Sequence, residues 1–394
     1  MIKKDLEWQG VMLMNIVDLF SGVGGLTFGF YYSLINNKFV KRNNNFIFAN
    51  EIDNNASEAF KKNFPDINLL CKDIKTITET EIKNIIGDKE IDVIIGGPPC
   101  QSYSFVGRRR YDDKAQMYKE YLKMLSIIQP KMFVFENVKG ILSMKKDDGN
   151  LVIDDIKNKF SEIEGKHGYE IKYQILNASE FGVPQNRERV FIIGVRKDLN
   201  INFTFPVPPR GLKKVTLKEA ISDLPEIDYN SCVNRYTVRR PTQYQSLMKQ
   251  GSSSLTLHST VRHSEKLEVV MRNVKCGEGK DDFNALIDQG LVDEKYRLTS
   301  GYHNTYGRLE PNKPCTTITN NFTSPSCLRC IHYSQNRPLT IREGARIQSF
   351  PDTFEFCGGE GDIKKQIGNA VPPLLAIYVA DAIQKSIGGE DACQ

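Results

Sequence analysis

The first 200 residues alternate between short β-rich runs and amphipathic helical stretches, and this alternation limits the possible folds more than any other feature. Helical stretches such as Asn54–Asn63 and Ala115–Ile128 separate most of the runs. Strands that alternate with helices form βαβ units, which build a parallel sheet covered by helices on both faces. The sequence therefore predicts an α/β fold with a doubly wound, mostly parallel sheet. The predicted strands are Ile16–Phe20, Phe46–Ala49, Ile91–Ile95, Met132–Phe135, Ile171–Leu176 and Val190–Val195.

A cluster of helix-breaking residues, Phe205-Pro-Val-Pro-Pro-Arg-Gly211, ends this pattern and indicates a domain boundary. The next stretch, to about residue 330, has short irregular elements and polar loops. Regular order returns at Thr340-Ile-Arg-Glu343, a capping box for a helix to about Gln348, and a last helix runs from near Pro373 to Ser386. A chain of 394 residues is longer than the chains that usually fold around a single hydrophobic core. We therefore predict a first domain at 1–204, a smaller irregular domain at 205–335, and a segment at 336–394 that returns to the first domain.

The positive charge of the chain is concentrated in that irregular segment. Lys and Arg exceed Asp and Glu by 53 to 48 overall, and by 18 to 13 between Phe205 and Asn336, so the segment carries the whole net charge of +5. A surface that faces phosphate would show this bias. An ordinary solvated face would produce it equally well.

The nine cysteines predict reduced thiols rather than disulfides. No signal peptide is recognisable at the start, and no apolar run approaches the roughly 18 residues that a membrane span needs, so we expect a cytoplasmic protein. Cys327-Leu-Arg-Cys330, with Cys315 and Cys357 nearby, is a candidate zinc site. Because no second CxxC or His pair at ligand spacing accompanies it, we expect no metal.

A glycine-rich turn, Asp18-Leu-Phe-Ser-Gly-Val-Gly-Gly-Leu26, follows the first predicted strand. Glycines let the backbone turn tightly there and approach a ligand closely. Glu51 and Asp53 end the second strand, where a carboxylate can accept hydrogen bonds from ribose hydroxyls, although Asp53 could equally be a helix N-cap. Asp73 ends a third short strand and could accept from an adenine amino group. Together these residues predict an adenosine-containing cofactor.

The run Gly96-Gly-Pro-Pro-Cys-Gln-Ser-Tyr-Ser104 places a cysteine in a loop directly after a predicted strand. Structural cysteines are usually buried among apolar residues, whereas the polar, Gly/Pro-shaped loop around Cys100 suits a reactive thiol. We therefore interpret Cys100 as a nucleophile. The basic stretch Gly107-Arg-Arg-Arg-Tyr111 follows; it could close over a phosphate backbone or be a solvated charged turn.

Two further motifs place charged side chains at strand ends. Phe135-Glu-Asn-Val138 puts Glu136 at the end of the predicted strand Met132–Phe135, where it can serve as an acid. Gln185-Asn-Arg-Glu-Arg-Val-Phe191 puts Arg187 and Arg189 on the same side of a strand, because side chains alternate along it. Two guanidinium groups beside a carboxylate can orient it and bind a carbonyl oxygen. A surface ion pair is the other interpretation of each motif.

In this order, the motifs resemble those of the bacterial cytosine-5 DNA methyltransferases. The resemblance covers roughly 1–200 and 335–390, and the Pro-Cys-Gln, Glu-Asn-Val and Gln-x-Arg-x-Arg set is its most specific part. It implies a Rossmann-like catalytic domain at 1–204 that uses S-adenosylmethionine, and a target-recognition domain at 205–335. The motifs are Asp18–Gly25, Asn50–Asp53, Pro98–Ser104, Glu136–Val138, Gln185–Arg189 and Gly368–Pro373.

The resemblance also implies the residues that hold the cofactor. Phe20 would stack on the adenine, Ile52 would pack on it, and Asp73 would contact its amino group. Glu51 would accept hydrogen bonds from the ribose hydroxyls. The other expected cofactor residues lie in the glycine turn and in two later motifs: Gly22, Val23, Gly25, Pro98, Asn369 and Val371.

Cytosine C5 is a poor nucleophile, so methylation there needs an activated ring. A Cys100 thiolate that adds to C6 turns the ring into an enamine, whose C5 can attack a methyl sulfonium. Glu136 would protonate or hydrogen-bond N3 and so make C6 more electrophilic. By resemblance, Arg189 would hold O2 and Arg187 would orient Glu136. No residue stands out as the base that removes the C5 proton, so we expect water.

The expected partner is double-stranded DNA. Because C5 cannot be reached inside a duplex, the cytosine must be flipped out, at a cost of roughly a few kcal/mol. Positive charge would hold the phosphates, and base-edge contacts would specify the sequence. We expect a monomer that either works with a cognate restriction endonuclease or is an orphan methylase. The expected DNA contacts outside the target domain are Gln101, Ser104, Arg108, Arg109 and Arg110.

Three other functions are compatible with parts of this pattern. An RNA cytosine-5 methyltransferase would share the fold, but the Cys-Phe-Thr run of the similar tRNA enzymes is missing. A DNA-binding regulator built on an inactive enzyme would not need Cys100, Glu136 and Arg189 intact. A nicotinamide-linked oxidoreductase would explain the glycine turn, but not the Pro-Pro-Cys or Glu-Asn-Val motifs.

Overall fold

The computed structural model describes residues 13–99, 116–229, 231, 233–236 and 240–388. The strands are β1 Asn15–Leu19, β2 Tyr32–Ile35, β3 Lys38–Lys41, β4 Asn45–Glu51, β5 Leu69–Cys71, β6 Val93–Gly96, β7 Met132–Asn137, β8 Tyr169–Asn177 and β9 Glu188–Arg196. The α-helices are α1 Gly25–Tyr31, α2 Asn54–Asn63, α3 Glu79–Ile86, α4 Tyr118–Ile128, α5 Val152–Ser161, α6 Leu217–Ile221, α7 Gln243–Met248, α8 Glu265–Asn273, α9 Lys280–Asp288, α10 Ile341–Ile347, α11 Glu360–Asn369 and α12 Pro373–Gly388. Short 3-10 helices lie at Ile74–Thr76, Lys139–Leu142, Ala178–Phe181 and Glu294–Tyr296.

Seven strands form one sheet in the order β5-β4-β1-β6-β7-β9-β8. The five strands from β5 to β7 are parallel, and β9 runs antiparallel to both of its neighbours. The prediction of a doubly wound, mostly parallel sheet is therefore confirmed. Chain order reverses between β1 and β6, and the crevice outside such a reversal is where open α/β sheets bind their ligands.

Both faces of the sheet are buried under helices. Along β1, Ile16 belongs to one apolar cluster, whereas Val17 and Leu19 belong to the cluster on the opposite face. This split follows from the alternation of side chains along a strand. Helices α1, α2 and α12 contribute to the first cluster, and α3, α4 and α5 to the second. The predicted helix at Asn54–Asn63 is present with those bounds.

Two elements near the sheet lie outside the sequence-based predictions. Strands β2 and β3 form an antiparallel hairpin apart from the main sheet, and α11 precedes the last helix. The first predicted strand also ends one residue early, because Phe20 has a φ of 56° and begins the turn. The predicted capping box is confirmed, since the Thr340 side chain accepts from Glu343 N and the Glu343 side chain accepts from Thr340 N.

The C-terminal helix packs tightly on the helix that follows the glycine turn. A Cβ on Gly29 would come within 2.1 Å of the carbonyl carbon of Ala376, so α1 and α12 can approach this closely only because residue 29 lacks a side chain. The segment after 336 thus returns to the sheet of the first 200 residues.

The segment 205–335 contains short helices and a small core of its own. Val270, Val274, Phe283, Ile287 and Leu298 form an apolar cluster separate from the two that cover the sheet. Helix α6 instead packs on α10, and Leu217 and Ile221 belong to a cluster of the sheet. Within the described part of the chain, no helix is both long and apolar enough to cross a membrane.

Candidate active site

The glycine turn follows β1 at the centre of the sheet. Phe20, Gly22 and Gly24 all have positive φ values, of 56°, 55° and 90°. A Cβ on Gly24 would come within 2.3 Å of the Phe64 ring, so this position requires glycine for space as well as conformation. The turn thereby opens room at the carboxyl edge of the sheet.

The carboxylate of Glu51 is tied to this turn by backbone donors. Its Oε2 accepts from Gly22 N at 2.8 Å, and its Oε1 accepts from the amides of Ile52 and Asp53, each at 2.8 Å. Burial raises the pKa of Glu51, and these three hydrogen bonds oppose that rise. Asp53 is the N-cap of α2, because its side chain accepts from Ala56 N. Of the two interpretations left open for Asp53, the structure shows the helix N-cap.

A cavity of about 560 Å³ opens at this edge. Its lining includes all ten residues expected to hold the cofactor, together with Glu136 and Arg189. The ten are Phe20, Gly22, Val23, Gly25, Glu51, Ile52, Asp73, Pro98, Asn369 and Val371. Residues from positions 20 to 371 thus meet because β1, β4, β5 and β6 end at one edge and the chain before α12 returns to it.

Other lining residues are not among the sequence-based expectations. Asp18 belongs to a recognised motif, but the sequence alone indicates no separate role for it. Lys75 follows the strand end at Asp73, and Asp362, Lys365 and Gln366 come from α11. Because the sequence pattern does not predict α11, it does not indicate that Asp362, Lys365 and Gln366 line the cavity.

Glu136 and Arg189 form an ion pair on the cavity wall. Arg189 Nε lies 3.0 Å from Glu136 Oε1, and both side chains are largely buried. They meet because β7 and β9 are antiparallel neighbours, with Glu136 opposite Phe191. Burial raises the pKa of Glu136, while the charges of Arg189 and Arg187 lower it. The net direction is upward, so this carboxyl keeps its proton to a higher pH than an exposed glutamate.

The loop after β6 is held against this pair. A Cβ on Gly97 would lie 2.8 Å from Glu136 Oε2, so glycine allows the loop to pass directly over the carboxylate. Asn137 Nδ2 donates to Pro98 O at 3.2 Å. The Glu-Asn-Val motif and the Pro-Pro-Cys motif are therefore joined by Asn137, a role that the sequence alone does not indicate.

Arg187 is fully buried and joins distant segments of the chain. It donates to Ile318 O at 2.7 Å, Gly368 O at 2.7 Å and Ala370 O at 3.0 Å. The family resemblance implies that Arg187 orients Glu136. Arg189 forms an ion pair with Glu136, and the charge of Arg187 also lowers the pKa of Glu136, so that expectation stays a prediction.

The end of the 205–335 segment lies against the Gln185–Arg189 motif. Gln185 Oε1 accepts from Ile318 N at 3.0 Å, and its Nε2 donates to Ile347 O at 3.0 Å. Cys315 N donates to Pro184 O at 2.8 Å. Gln185 therefore connects the chain before β9 to both the 205–335 segment and α10, a role that the sequence alone does not indicate.

Six expected site residues lie outside the residues that the structure describes: Cys100, Gln101, Ser104, Arg108, Arg109 and Arg110. The described chain stops at Pro99 and resumes at Gln116, and both Pro99 and Met117 line the cavity.

A larger cavity, of about 700 Å³, lies in the 205–337 region, and no predicted site residue lines it. Its walls mix cations such as Arg262 and Arg272 with the acids Glu226 and Asp228. Cavity volume therefore does not identify the candidate active site. The smaller cavity is identified by the sequence motifs whose residues line it. Among the described residues, no group of three or more His, Cys, Asp or Glu side chains could hold a metal ion, and the six described cysteines are free thiols.

A doubly wound sheet with a ligand-sized cavity at its switch point is typical of enzymes that bind a nucleotide-like cofactor. The model of the C-5 cytosine-specific DNA methylase family matches residues 14–385, and the chain belongs to this family. It is an S-adenosylmethionine-dependent family of DNA methyltransferases.

Named relatives agree with this assignment. The chain is 36% identical over 385 residues to the Type II methyltransferase M.DdeI of Desulfomicrobium norvegicum, covering 94% of this chain and 88% of that protein. It is 33% identical to the Type II methyltransferase M1.HphI of Haemophilus parahaemolyticus, covering 95% and 87%.

Solved structures agree as well. A crystal structure described as a DNA modification methyltransferase encoded within a prophage (E. coli) superposes with a TM-score of 0.70 at 28% identity, covering 95% of this chain and all of that one. Spodoptera frugiperda DNMT2, at 16% identity and a TM-score of 0.58, covers 94% and 99% and supports the fold only.

Proposed function

We propose that this enzyme methylates C5 of a flipped-out cytosine in a specific duplex sequence through a covalent bond between Cys100 and C6. The observation that carries the proposal is the Glu136–Arg189 ion pair on the wall of the cavity that every expected cofactor residue lines. From that wall the chain runs through Pro98 and Pro99 directly to Cys100. We propose that the Cys100 thiol attacks a base held by the ion pair.

The chemistry of the ion pair suits cytosine. Because burial raises the pKa of Glu136, its carboxyl can retain a proton and donate it to N3 of the base. Such a hydrogen bond draws electrons from the ring and makes C6 accept the Cys100 thiolate. Arg189 lies beside Glu136 and would hold O2 of the same base. We keep Arg187 as a residue that positions this site through its charge and its three carbonyl contacts.

The cavity fits S-adenosylmethionine as the cofactor. Its volume of about 560 Å³ lies within the roughly 300–1,000 Å³ typical of ligand pockets. Ile52 is 63% exposed at the cavity wall and offers an apolar surface to the adenine, in addition to the stacking role proposed for Phe20. Glu51 and Asp73 supply acceptors for the ribose and the adenine amino group. The bound cofactor supplies an electrophilic methyl group.

We propose that 205–335 is the target-recognition domain, and that 1–204 and 336–394 together form the catalytic unit. Two loops of the segment, 299–306 and 320–329, lie side by side, because Tyr306 N donates to Pro325 O at 2.6 Å. The second loop follows Ile318, which contacts Arg187. The chain before the second loop is thus held by Arg187, and the exposed side chains of both loops are suited to contact base edges. These side chains are Tyr302, His303, Asn304 and Asn321.

We further propose that Gln101, Ser104, Arg108, Arg109 and Arg110 contact the DNA near the flipped base. The relatives described above are named Type II methyltransferases, which supports a role in a restriction–modification system with a cognate endonuclease rather than an orphan role. Base-resolution sequencing of DNA from cells that express the enzyme would give the recognition sequence. Resistance of that DNA to an endonuclease encoded beside the enzyme would support the partnership, and a host without such a nuclease would contradict it.

The covalent step can be tested by trapping. We expect duplex DNA with 5-fluorocytosine at the target position to form a denaturation-resistant complex in the presence of S-adenosylmethionine, because fluorine cannot leave C5 as the proton does. Cys100→Ala should form none, yet bind the cofactor normally. Cys276→Ser, which changes an exposed free thiol outside the loops 299–306 and 320–329, is the matched control and should trap as the wild type does. A Cys100→Ala variant that still forms the complex would contradict the nucleophile, and methylation of tRNA in place of DNA would contradict the substrate.

A further inference from the structure

Tyr121 is a fully buried side chain that carries a polar group which the proposed chemistry does not use. It lies at the end of the first turn of α4, in the apolar cluster that covers one face of the sheet. Its ring makes edge-to-face contacts with Phe133 and Phe135 and stacks on Phe160. A phenylalanine would make the same ring contacts without the desolvation cost of a buried hydroxyl. Apolar packing therefore does not account for the hydroxyl.

The hydroxyl joins two neighbouring strands of the sheet. It donates to Val134 O of β7 at 2.9 Å and to Ile94 O of β6 at 3.2 Å. Because a phenol has a single proton, the two contacts form one bifurcated hydrogen bond, in which the bond to β7 is the shorter. Burial raises the pKa of Tyr121 well above its usual value, so the phenol keeps this proton at neutral pH.

The two carbonyls lie just before the ends of their strands. Val134 is two residues before Glu136 on β7, and Ile94 is two residues before Gly96, which ends β6. Because β6 and β7 are parallel neighbours, their carboxyl ends lie side by side at the edge of the sheet that carries the cavity. The hydroxyl therefore holds these two strands together next to the proposed active site.

The ring of Tyr121 also packs on the last residue of β6. A Cβ on Gly96 would lie 3.0 Å from Tyr121 Cε2. The next residue, Gly97, passes directly over the Glu136 carboxylate. From Gly97 the chain leads through Pro99 to the proposed nucleophile. Any shift of β6 against β7 would therefore change the separation between Glu136 and the start of that loop.

Other contacts hold α4 in place independently of this hydroxyl. Lys123 Nζ donates to Ile77 O at 3.1 Å, and the Tyr118 hydroxyl donates to Asp155 Oδ2 at 2.5 Å. The helix is thus fixed to the chain on both sides, and it presents the Tyr121 hydroxyl to the two strands from a rigid element.

We propose that Tyr121 is a positioning residue, whose hydroxyl fixes β6 against β7 and so sets the separation between the Glu136 carboxyl and the loop that carries Cys100. This inference rests on the roles proposed above for Glu136 and Cys100. The acid and the nucleophile must act on one cytosine ring, at N3 and at C6, so their separation has to match the dimensions of that ring. An error of about 1 Å in such a geometry can lower a rate on the order of 10²-fold.

Tyr121→Phe removes the hydroxyl and keeps the ring. We expect covalent complex formation with the 5-fluorocytosine duplex, and single-turnover methylation of the ordinary duplex, to slow by about 10-fold or more. KM for S-adenosylmethionine and for DNA should stay within about twofold, because Tyr121 does not line the cofactor cavity and is fully buried.

Tyr169→Phe is the matched control. Tyr169 is also fully buried in this cluster, and its hydroxyl donates to Pro130 O at 2.9 Å, just before the opposite end of β7. Both variants lose one buried hydrogen bond to a carbonyl, so both should lower the midpoint of thermal unfolding by a similar few degrees. Only Tyr121→Phe should slow methyl transfer.

A double-mutant cycle with Glu136→Gln separates positioning from general destabilisation. If the hydroxyl acts through the position of the Glu136 carboxyl, its removal should change the single-turnover rate of Glu136→Gln by less than about twofold. General destabilisation would instead slow both backgrounds by the same factor.

A wild-type rate in Tyr121→Phe would overturn the inference, as would equal slowing by Tyr169→Phe or slowing by the same factor in both backgrounds of the cycle. Loss of cofactor binding by Tyr121→Phe would also overturn it, since a positioning role leaves the cavity intact. Failure of the wild type to form the covalent complex, or a wild-type rate in Glu136→Gln, would instead overturn the proposed function, so the two failures are distinguishable.

Discussion

The cavity edge of the sheet and the 205–335 segment position their functional side chains in different ways. At the cavity edge, Glu51 and Glu136 lie at the ends of buried strands of one sheet, and backbone amides or a neighbouring guanidinium hold their carboxylates. In the segment, short helices surround a small separate core, and the exposed loops depend on contacts such as that of Ile318 with Arg187. Regular secondary structure positions the functional side chains at the cavity edge. Contacts with the sheet domain position those of the 205–335 segment.

This difference has a functional consequence. Strand ends vary little in position, so they suit the chemistry common to all targets, which requires precise geometry. Loops on the surface can vary in length and sequence without disturbing the sheet, which suits the target recognition that we propose for the 205–335 segment. The comparison predicts that a substitution in one region can remove the function of that region and leave the function of the other intact.

The largest effect should come from the ion pair. Glu136→Gln leaves a side chain of similar size that carries no acidic proton, so we expect kcat to fall by roughly 10²- to 10⁴-fold while cofactor affinity stays within about twofold. Single-turnover methylation and a binding titration measure the two quantities. Glu188→Gln is the matched control, because Glu188 is an exposed acid whose side chain pairs with Lys139, and it should keep the wild-type rate.

The pH profile gives a second measurement on the same residue. Because burial raises the pKa of Glu136, its protonated form should persist at a higher pH than that of an exposed glutamate. The rate should fall as pH rises through the pKa of Glu136. Glu136→Gln should lose this limb of the profile. A limb that persists in the variant would assign the titration to another group.

The next-largest effect should show whether the 205–335 segment and the sheet unfold independently. Phe283 is fully buried in the small core of the segment, so Phe283→Ala should destabilise that core by roughly 3–5 kcal/mol. We expect sequence-specific DNA binding to fail at a lower temperature than cofactor binding, measured by titrations over a temperature series. Loss of DNA binding and cofactor binding at the same temperature would show that the segment and the sheet unfold as one unit. That result would contradict the proposed difference between the two regions.

A smaller effect is expected from the basic stretch next to the catalytic loop. Replacing Arg108, Arg109 and Arg110 by Gln removes three charges, so the slope of log affinity against log salt should fall by up to about 2.7. Affinity should weaken about equally for target and non-target DNA. An unchanged slope would show that the stretch does not contact phosphate.

The smallest effect should come from the recognition loops. Tyr302 is 73% exposed and supports no core, so Tyr302→Ala should leave thermal stability unchanged. We expect the preference for target over non-target DNA to fall by about 1–3 kcal/mol, with the salt slope unaffected. Binding competition with unrelated duplex DNA measures this. A variant with unchanged preference would remove Tyr302 from the recognition surface.

Much of this protein is determined by its sequence directly. Apolar runs specify the buried strands, because a strand covered on both faces must be apolar throughout. Since parallel strands end at one edge, the residues that follow them can be assigned to one site from their order in the chain, and all ten expected cofactor residues line the cavity. Local signals also sufficed for α2 and for the Thr340 capping box, whereas the role of Asp53 as the cap of α2 stayed one of two interpretations.

Only the tertiary structure decided which distant groups meet. Arg187 and Ile318 are 131 residues apart, and Gln185 and Ile347 are 162 apart, so no local pattern could pair them. The partner of Glu136 followed from the antiparallel pairing of β7 and β9, which side-chain alternation alone does not reveal. Pairing and desolvation depend on distance in space, whereas the sequence records only distance along the chain.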